Sequence, residues 1–371
     1  MIIIRGELAM QRFGVKVSRL DDYDVLIEPG ILGQVGMQLR DTSPESEQAV
    51  VVTDRHVQAL YGKLLEESLT GAGFKNGMLV VEPGEPTKSL AVAIDLWERL
   101  VQLGFRRRSM LLALGGGVIT DLTGFVAATY MRGVSYVNVP TTLLAQLDAA
   151  IGGKVGVDHP RAKNLIGSFY HPRAVYVDPD TLRTLPVQEI RHGLAEAIKV
   201  AVIGSQPLFE FIERRTPALL GGDMAVLTEV VTMAVAAKVA LLVPDPYEHD
   251  LRRALNFGHT IGHALETALA YKNISHGDGI AIGMATATRI ARARGFCERG
   301  TADRILALLA RVGLPVIASG DTPAQVWQGL GVIRAIRDGH FHEVLPTGIG
   351  HYVLSDDLSE SDLERYMLGA G

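Results

Sequence analysis

The chain has 371 residues, of which 47% are hydrophobic and 21% charged, with a net charge of −5. That length suits two domains with cores of their own, and the balance excludes a disordered chain. A mildly acidic protein also does not bind nucleic acid through bulk charge, so no nucleic-acid partner is expected.

The apolar run at the N-terminus ends at Ile4, and Arg5 and Glu7 follow. It is too short for the core of a signal peptide. Gln48 to Thr53 is a continuous apolar run of the kind found in buried parallel strands. Met78 to Val81, Ser109 to Leu114, Tyr136 to Pro140 and Ala174 to Asp178 repeat the pattern, with a helical pattern at Leu90 to Leu103 among them. Alternating strands and helices predict a parallel α/β sheet with a crevice at the strand ends.

Polar residues sit at those ends. Asp54 closes the first run, where an acid suits ribose hydroxyls, and Glu85 and Lys88 follow the second. The third leads into Gly115-Gly116-Gly117 and then Asp121. A strand, three glycines and a helix let phosphate approach the helix N-terminus, although such a turn also serves close packing. The pattern is neither GxGxxG nor Walker A. Further on, Thr141, Thr142 and Asp148 precede Lys154, Lys163 and Asn164 in glycine-rich surroundings that suit an anion.

The texture changes after Asp178. A boundary within Thr181 to Pro186 divides the chain into residues 1–180 and 181–371. Helices are predicted over Ile190 to Val202, Met224 to Leu242, Asn256 to Leu269, Gly279 to Arg294 and Ala302 to Val312, and a β-rich run returns at Gly350 to Leu354. The longest apolar stretch, near Val230 to Val243, is interrupted by Lys238 and closed by Pro244. It falls short of the roughly 20 apolar residues of a membrane span, so a soluble protein with no membrane partner is expected. Cys297 is the single cysteine, which precludes an internal disulfide and fits a reducing, cytoplasmic setting.

His259 and His263 stand at i and i+4, on one helical face. His276 follows, at a predicted helix entrance, and Glu196 lies in another helical segment. Two histidines and a carboxylate with one position open make a catalytic Zn²⁺-type site, and Glu196 with two of these three histidines would supply such a set. The same spacing also serves ordinary core histidines, and spacing alone does not bring Glu196 to His259.

The runs GGGVITDLTGFVAATYMRG, PTTLLAQLDAAIGGKVGVDHPRAKNLIGSF, GLAEAIK, LNFGHTIGHALE and HGDGIAIGM, in this order, resemble 3-dehydroquinate synthase and the wider sugar phosphate cyclase superfamily. The resemblance implies a Rossmann-like N-terminal domain, an all-α C-terminal domain, an active site between them and a homodimer. By motif, Glu196, His259 and His276 match the metal ligands, for Zn²⁺ or Co²⁺. Asp54, Glu85, Lys88, Gly116, Gly117, Asp121, Thr141, Thr142, Thr181 and Thr184 match NAD-contacting positions. Asp148, Lys154, Lys163 and Asn164 match residues lining the nicotinamide and substrate. Lys199, Lys238, Arg252, Asn256 and His263 match groups that grip substrate anions, and Arg132 matches an arginine reaching the neighbouring subunit's site.

The implied reaction on a seven-carbon sugar-acid phosphate is transient oxidation by NAD⁺, loss of phosphate, return of the hydride and aldol closure to a carbocycle. Shikimate-pathway and natural-product enzymes would carry the same motifs. Two departures bear on substrate. Where the family has Asp-Lys-Lys, this chain reads Ile333-Arg334-Ala335, and the usual His-Gly-Glu is His276-Gly277-Asp278. Cyclases of the superfamily also act on sedoheptulose phosphate, glucose phosphate or an amino sugar-acid phosphate. Retention of Lys154, Lys238, Arg252 and Asn256 predicts a substrate with a carboxylate. A metal-dependent polyol dehydrogenase and a non-catalytic relative are the readings from other classes.

Overall fold

A computed structural model of the chain describes residues 22–159, 162–247, 254–269, 274–319, 322–336 and 342–369, with backbone alone at 162 and 332–336. Arg252 lies outside the described residues, and so does the side chain of Arg334.

The strands in chain order are β1 (Asp24–Ile27), β2 (Gln48–Asp54), β3 (Lys75–Val81), β4 (Met110–Gly115), β5 (Tyr136–Pro140), β6 (Lys154–His159), β7 (Ala162–Phe169), β8 (Ala174–Val177), β9 (Glu343–Gly348) and β10 (His351–Ser355). Among them run helices α1 (Val35–Thr42), α2 (Arg55–Val57), α3 (Lys63–Gly71), α4 (Leu90–Gln102) and α5 (Gly117–Thr129). The second half is helical: α6 (Val187–Gly204), α7 (Gln206–Leu220), α8 (Met224–Leu242), α9 (His259–Ala268), α10 (His276–Ala293), α11 (Arg299–Val312), α12 (Thr322–Ile336) and α13 (Glu360–Tyr366).

Six strands form one parallel sheet in the order β1-β8-β5-β4-β2-β3. Strand sides alternate along β2. Val50 and Val52 pack with Leu96, Leu100 and Leu122 of α4 and α5, whereas Ala49 and Val51 pack with Val35, Leu39, Leu65 and Leu69 of α1 and α3. Helices on both faces explain why the central strands are apolar throughout. Chain order runs outward in opposite directions from β2 and β4, so the carboxyl ends of these neighbours flank the crevice where open α/β sheets take ligands.

In the second half α6 is central, with thirteen of its residues buried against its neighbours. Leu143, Leu147, Val175 and Val177 from the sheet half belong to the same core as Leu194, Ile198, Val230 and Ile280, so the two halves share one apolar interior. α8 is, among the described residues, the helix long and apolar enough to cross a membrane. It joins this core through Leu227, Val230 and Val231 and turns the buried Lys238 inward.

Four expectations change. The segment at 154–169, expected only as a polar cluster, forms the antiparallel hairpin β6–β7. A β9–β10 hairpin accompanies the helices, where an all-α second half was expected. The predicted helix from Asn256 starts instead at His259, because Gly258 is left-handed at φ 76°. The helix expected from Gly279 begins three residues earlier at His276, capped by Ser275, whose hydroxyl accepts from the Asp278 N–H at 3.1 Å.

Candidate active site

α9 and α10 cross so closely that side chains are excluded between them. A Cβ on Gly283 would lie 2.0 Å from the Gly258 carbonyl oxygen, and one on Gly258 would lie 2.6 Å from Met284 Cγ. This contact brings the first residues of the two helices, His259 and His276, together with His263 one turn along α9. The three rings have centroids 5.1 to 5.5 Å apart, and one nitrogen from each falls within 4.8 Å of the others.

Glu196 of α6 points into this group and is fully buried. Its Oε1 lies 3.5 Å from His259 Nε2 and 3.3 Å from His276 Nε2. Neither oxygen makes a hydrogen bond of good geometry, although the Lys199 ammonium lies against Oε2. A buried, under-satisfied carboxylate facing imidazole nitrogens is costly unless something charged joins it. The donor set fits a divalent cation with mixed N and O ligands. Glu196, His259 and His276 would hold it, with His263 alongside.

Burial works against charge on Glu196, but Lys199 and His259 hold its carboxyl well below the usual carboxylate range. Burial and the Lys199 charge hold His259 well below the ordinary imidazole value, and burial with His276 takes His263 down to about 4. His276 behaves in the opposite way. Burial disfavours its charge, yet the Glu196 and Glu266 carboxylates push it up to about 9.

Glu266 is the residue that sequence reasoning missed. Its Oε1 is 2.8 Å from His276 Nδ1, which leaves Nε2 turned toward Glu196 and the cation position. Burial would raise Glu266, but the His276 contact brings it down to about 2. A carboxylate behind a metal-ligating imidazole orients the ring and raises its basicity. The signal was present: residues 259, 263 and 266 are i, i+4 and i+7 on one helical face.

Beside this group lies a second charged cluster. Asp148, on the wide helical turn Ala145–Ala149, is 3.5 Å from Lys199 Nζ and also contacts Lys238 Nζ. Lys238 donates to the Asp148 main-chain carbonyl at 2.6 Å as well. Asn256 ends the short turn Ala254–Asn256 just before His259. Lys154 opens β6 with an exposed side chain.

The expected nucleotide residues lie at the strand ends. Gly116 starts α5 without a side-chain cap, leaving first-turn N–H groups for a phosphate. Packing also demands small residues there, since a Cβ on Gly116 would meet Thr142 Cγ2 at 3.1 Å. Asp54 caps α2, its Oδ1 accepting from His56 and Val57 N–H groups at 2.8 and 2.9 Å. Lys88 is buried and donates to Asp121 Oδ2 at 2.6 Å and to Asn164 Oδ1. Thr141 is buried at the end of β5, and the Thr142 hydroxyl accepts from the Ala145 N–H at 3.2 Å.

Thr181 and Thr184 meet protein partners. The Thr181 hydroxyl donates to Asp178 O and accepts from Gln146, and Tyr61 Oη lies 2.5 Å from Thr184 Oγ1. Arg132 is not brought into the metal cluster. It stands on an exposed left-handed turn at φ 63°, lining a cavity of about 450 Å³ with Tyr170, His171 and Arg173.

Models of the N-terminal and C-terminal parts of 3-dehydroquinate synthase match residues 78–192 and 193–331. The chain is 44% identical to a 2-epi-valiolone synthase of Stigmatella aurantiaca, covering 97% of this chain and 92% of that one. It is 41% identical to a 3-dehydroquinate synthase of Pelotomaculum thermopropionicum, covering 93% of each. A solved 2-epi-5-epi-valiolone synthase of Streptomyces hygroscopicus, with NAD⁺ and Zn²⁺ bound, superposes with a TM-score of 0.88 at 31% identity, covering 95% of this chain and 97% of that one. A 2-deoxy-scyllo-inosose synthase complexed with carbaglucose-6-phosphate, NAD⁺ and Co²⁺ gives 0.79 at 26% identity, covering 94% and 96%.

Proposed function

From the premise that this chain belongs to the 3-dehydroquinate synthase family of sugar phosphate cyclases, we propose that it cyclises a seven-carbon ketose phosphate with NAD⁺ and one divalent metal ion. The observation that carries this reading is the buried Glu196 carboxylate aimed between His259 and His276, beside the Asp148, Lys199 and Lys238 cluster. Bound NAD⁺ would supply a transient hydride acceptor, and Zn²⁺ or Co²⁺ a Lewis acid for the oxygen being oxidised.

The chain's own residues do the rest. Glu196, His259 and His276 hold the cation. Asp54, Glu85 and the Gly116–Gly117 turn take the nucleotide, with Lys88, Asp121, Thr141, Thr142, Thr181 and Thr184 around it. Asp148 and Lys199 make a paired acid and ammonium for proton movement, while Lys154, Asn164, Arg252, Asn256 and His263 grip the sugar phosphate. Division of labour follows residues 1–180 for the cofactor and 181–371 for metal and substrate. A cytoplasmic homodimer, with Arg132 reaching the neighbouring site, completes the reading.

For the substrate we favour a heptulose phosphate without a carboxylate, giving a valiolone-type product. Three points support it. The 2-epi-valiolone synthase relative is 44% identical, Ile333-Arg334-Ala335 replaces the family's lysines, and Lys238 is already paired with Asp148. The 3-dehydroquinate synthase reading, with 3-deoxy-heptulosonate 7-phosphate eliminating phosphate, rests on the retained Lys154, Lys238, Arg252 and Asn256.

The deciding experiment incubates the metal-loaded enzyme and NAD⁺ with sedoheptulose phosphate and with heptulosonate phosphate in parallel, following phosphate release and identifying products by NMR. Faster turnover of sedoheptulose phosphate is expected, with no NADH building up at steady state. Faster turnover of the acid returns the choice to 3-dehydroquinate synthase. Steady NADH accumulation would indicate a dehydrogenase, and silence with every sugar phosphate a non-catalytic relative.

A further inference from the structure

We propose that Lys163 is a positioning residue that couples the nucleotide site to the metal site by bridging Glu85 and Glu266. The proposal rests on the assignment of NAD and metal to this cleft and adds a link between them.

The hairpin β6–β7 is anchored on the sheet half and faces the helical one. Val155 and Val157 on β6 pack into the core beneath α5, so the hairpin belongs to the sheet half. β7 then carries Lys163 and Asn164 outward. Asn164 takes the left-handed conformation at φ 54°, its N–H donates to Asp158 Oδ1 at 2.9 Å, and its side chain meets Lys88. A non-glycine residue held in that region needs surrounding contacts to keep it there. These contacts fix the backbone beside Lys163.

The Lys163 ammonium then faces two carboxylates from different halves. Glu85, on the turn after β3, has Oε1 at 3.6 Å, and Glu266, on α9, has Oε2 at 3.2 Å. Asp158 is the third acid acting on it. Glu266 in turn holds His276 Nδ1 through its other oxygen at 2.8 Å. A continuous chain therefore runs from Glu85 through Lys163 and Glu266 to His276. Glu266 is buried, where such contacts are little screened by solvent, while Glu85 is partly open to a ligand.

The sign of the coupling follows from ordering. A cation on His276 Nε2 fixes the ring and with it Glu266. A nucleotide whose ribose hydroxyls donate to Glu85 fixes that carboxylate. Either event places Lys163 for the other, so the second ligand meets a side chain already ordered. NAD⁺ and metal should therefore tighten one another, by the same factor in both directions.

The test is calorimetric titration of NAD⁺ into the full-length protein, metal-stripped and Co²⁺-loaded, with the reverse titration of Co²⁺ at saturating NAD⁺. In the wild type both dissociation constants should fall by roughly five- to tenfold when the other ligand is present. The visible Co²⁺ spectrum should shift on NAD⁺ addition. Lys163→Met should bind both ligands without the coupling or the spectral shift. Glu85→Gln, which leaves the metal side intact but alters a proposed nucleotide contact, should bind Co²⁺ as the wild type does and NAD⁺ more weakly, again without the coupling. Lys163→Arg should keep both, because its fork still faces two carboxylates. Independent binding in the wild type, coupling that survives either neutral variant, or loss in Lys163→Arg overturns the proposal. Failure of the wild type to bind NAD⁺ or metal at all overturns the proposed function, and this coupling with it.

Discussion

Glu196 and Glu266 show what single residues decide here. Both are buried acids near His276, yet one faces the cation position and the other stands behind the ring. Glu196→Gln removes the one carboxylate among the proposed ligands and leaves Lys199 short of a partner. Metal content by atomic absorption should fall to a small fraction of one per chain. Glu266→Gln keeps every ligand but weakens the hold on His276 Nδ1, and metal affinity should drop by roughly 10- to 100-fold in a chelator competition. Normal affinity in that variant would remove Glu266 from the site. The titration of His276 fixes a pH dependence. Its pKa of about 9 leaves the ring protonated at pH 7, and a cation must displace that proton from Nε2. Affinity should therefore rise with pH, by roughly tenfold per unit below 9. A flat profile between pH 7 and 8 would show that metal binding displaces no proton from His276 in that range.

At the scale of elements, the site depends on how closely α9 and α10 approach. Helix propensity favours alanine over glycine by about 1 kcal/mol, so Gly283→Ala would stabilise an isolated helix. Here the added Cβ meets the Gly258 carbonyl, and overpacking of this kind costs about 1–3 kcal/mol or more. Gly283→Ala should lower the melting temperature and weaken metal binding together, because the helices carry the three histidines. Gly300→Ala, in the first turn of α11 with nothing within 4 Å of its Cβ, is the control and should be neutral or mildly stabilising. Equal behaviour of the two variants would mean that the crossing does not position the site. The hairpin β6–β7 was not legible in the sequence. Its Gly156 and Gly167 weaken the strand pattern, and they are needed because each Cβ would lie within 3 Å of the opposite strand's backbone.

For the whole molecule, the shared core bears on cooperativity. Leu143, Leu147, Val175 and Val177 would be exposed if the sheet half came apart from α6 and α8. Scanning calorimetry should show one unfolding transition, with no separate melting of residues 1–180. Two resolved transitions would contradict a common core. Saturating NAD⁺ with Zn²⁺ should move that single transition upward, since ligands that bind the folded state alone stabilise it by mass action.

The sequence by itself determined the parallel sheet, the helical second half and the family, because apolar runs, glycine turns and ordered motifs are legible along the chain, and through those motifs it offered Glu196, His259 and His276 as candidate metal ligands. It also marked the position where Ile333-Arg334-Ala335 departs from the family. Only the tertiary structure decided that Glu196 lies within 3.5 Å of His259 and His276, that Glu266 stands behind His276, and that Lys163 joins Glu85 to Glu266. Those relations span 63 residues between Glu196 and His259 and 103 between Lys163 and Glu266. No local pattern encodes such separations, and the close crossing of α9 and α10 together with the packing of β6–β7 on the sheet half brings the residues together.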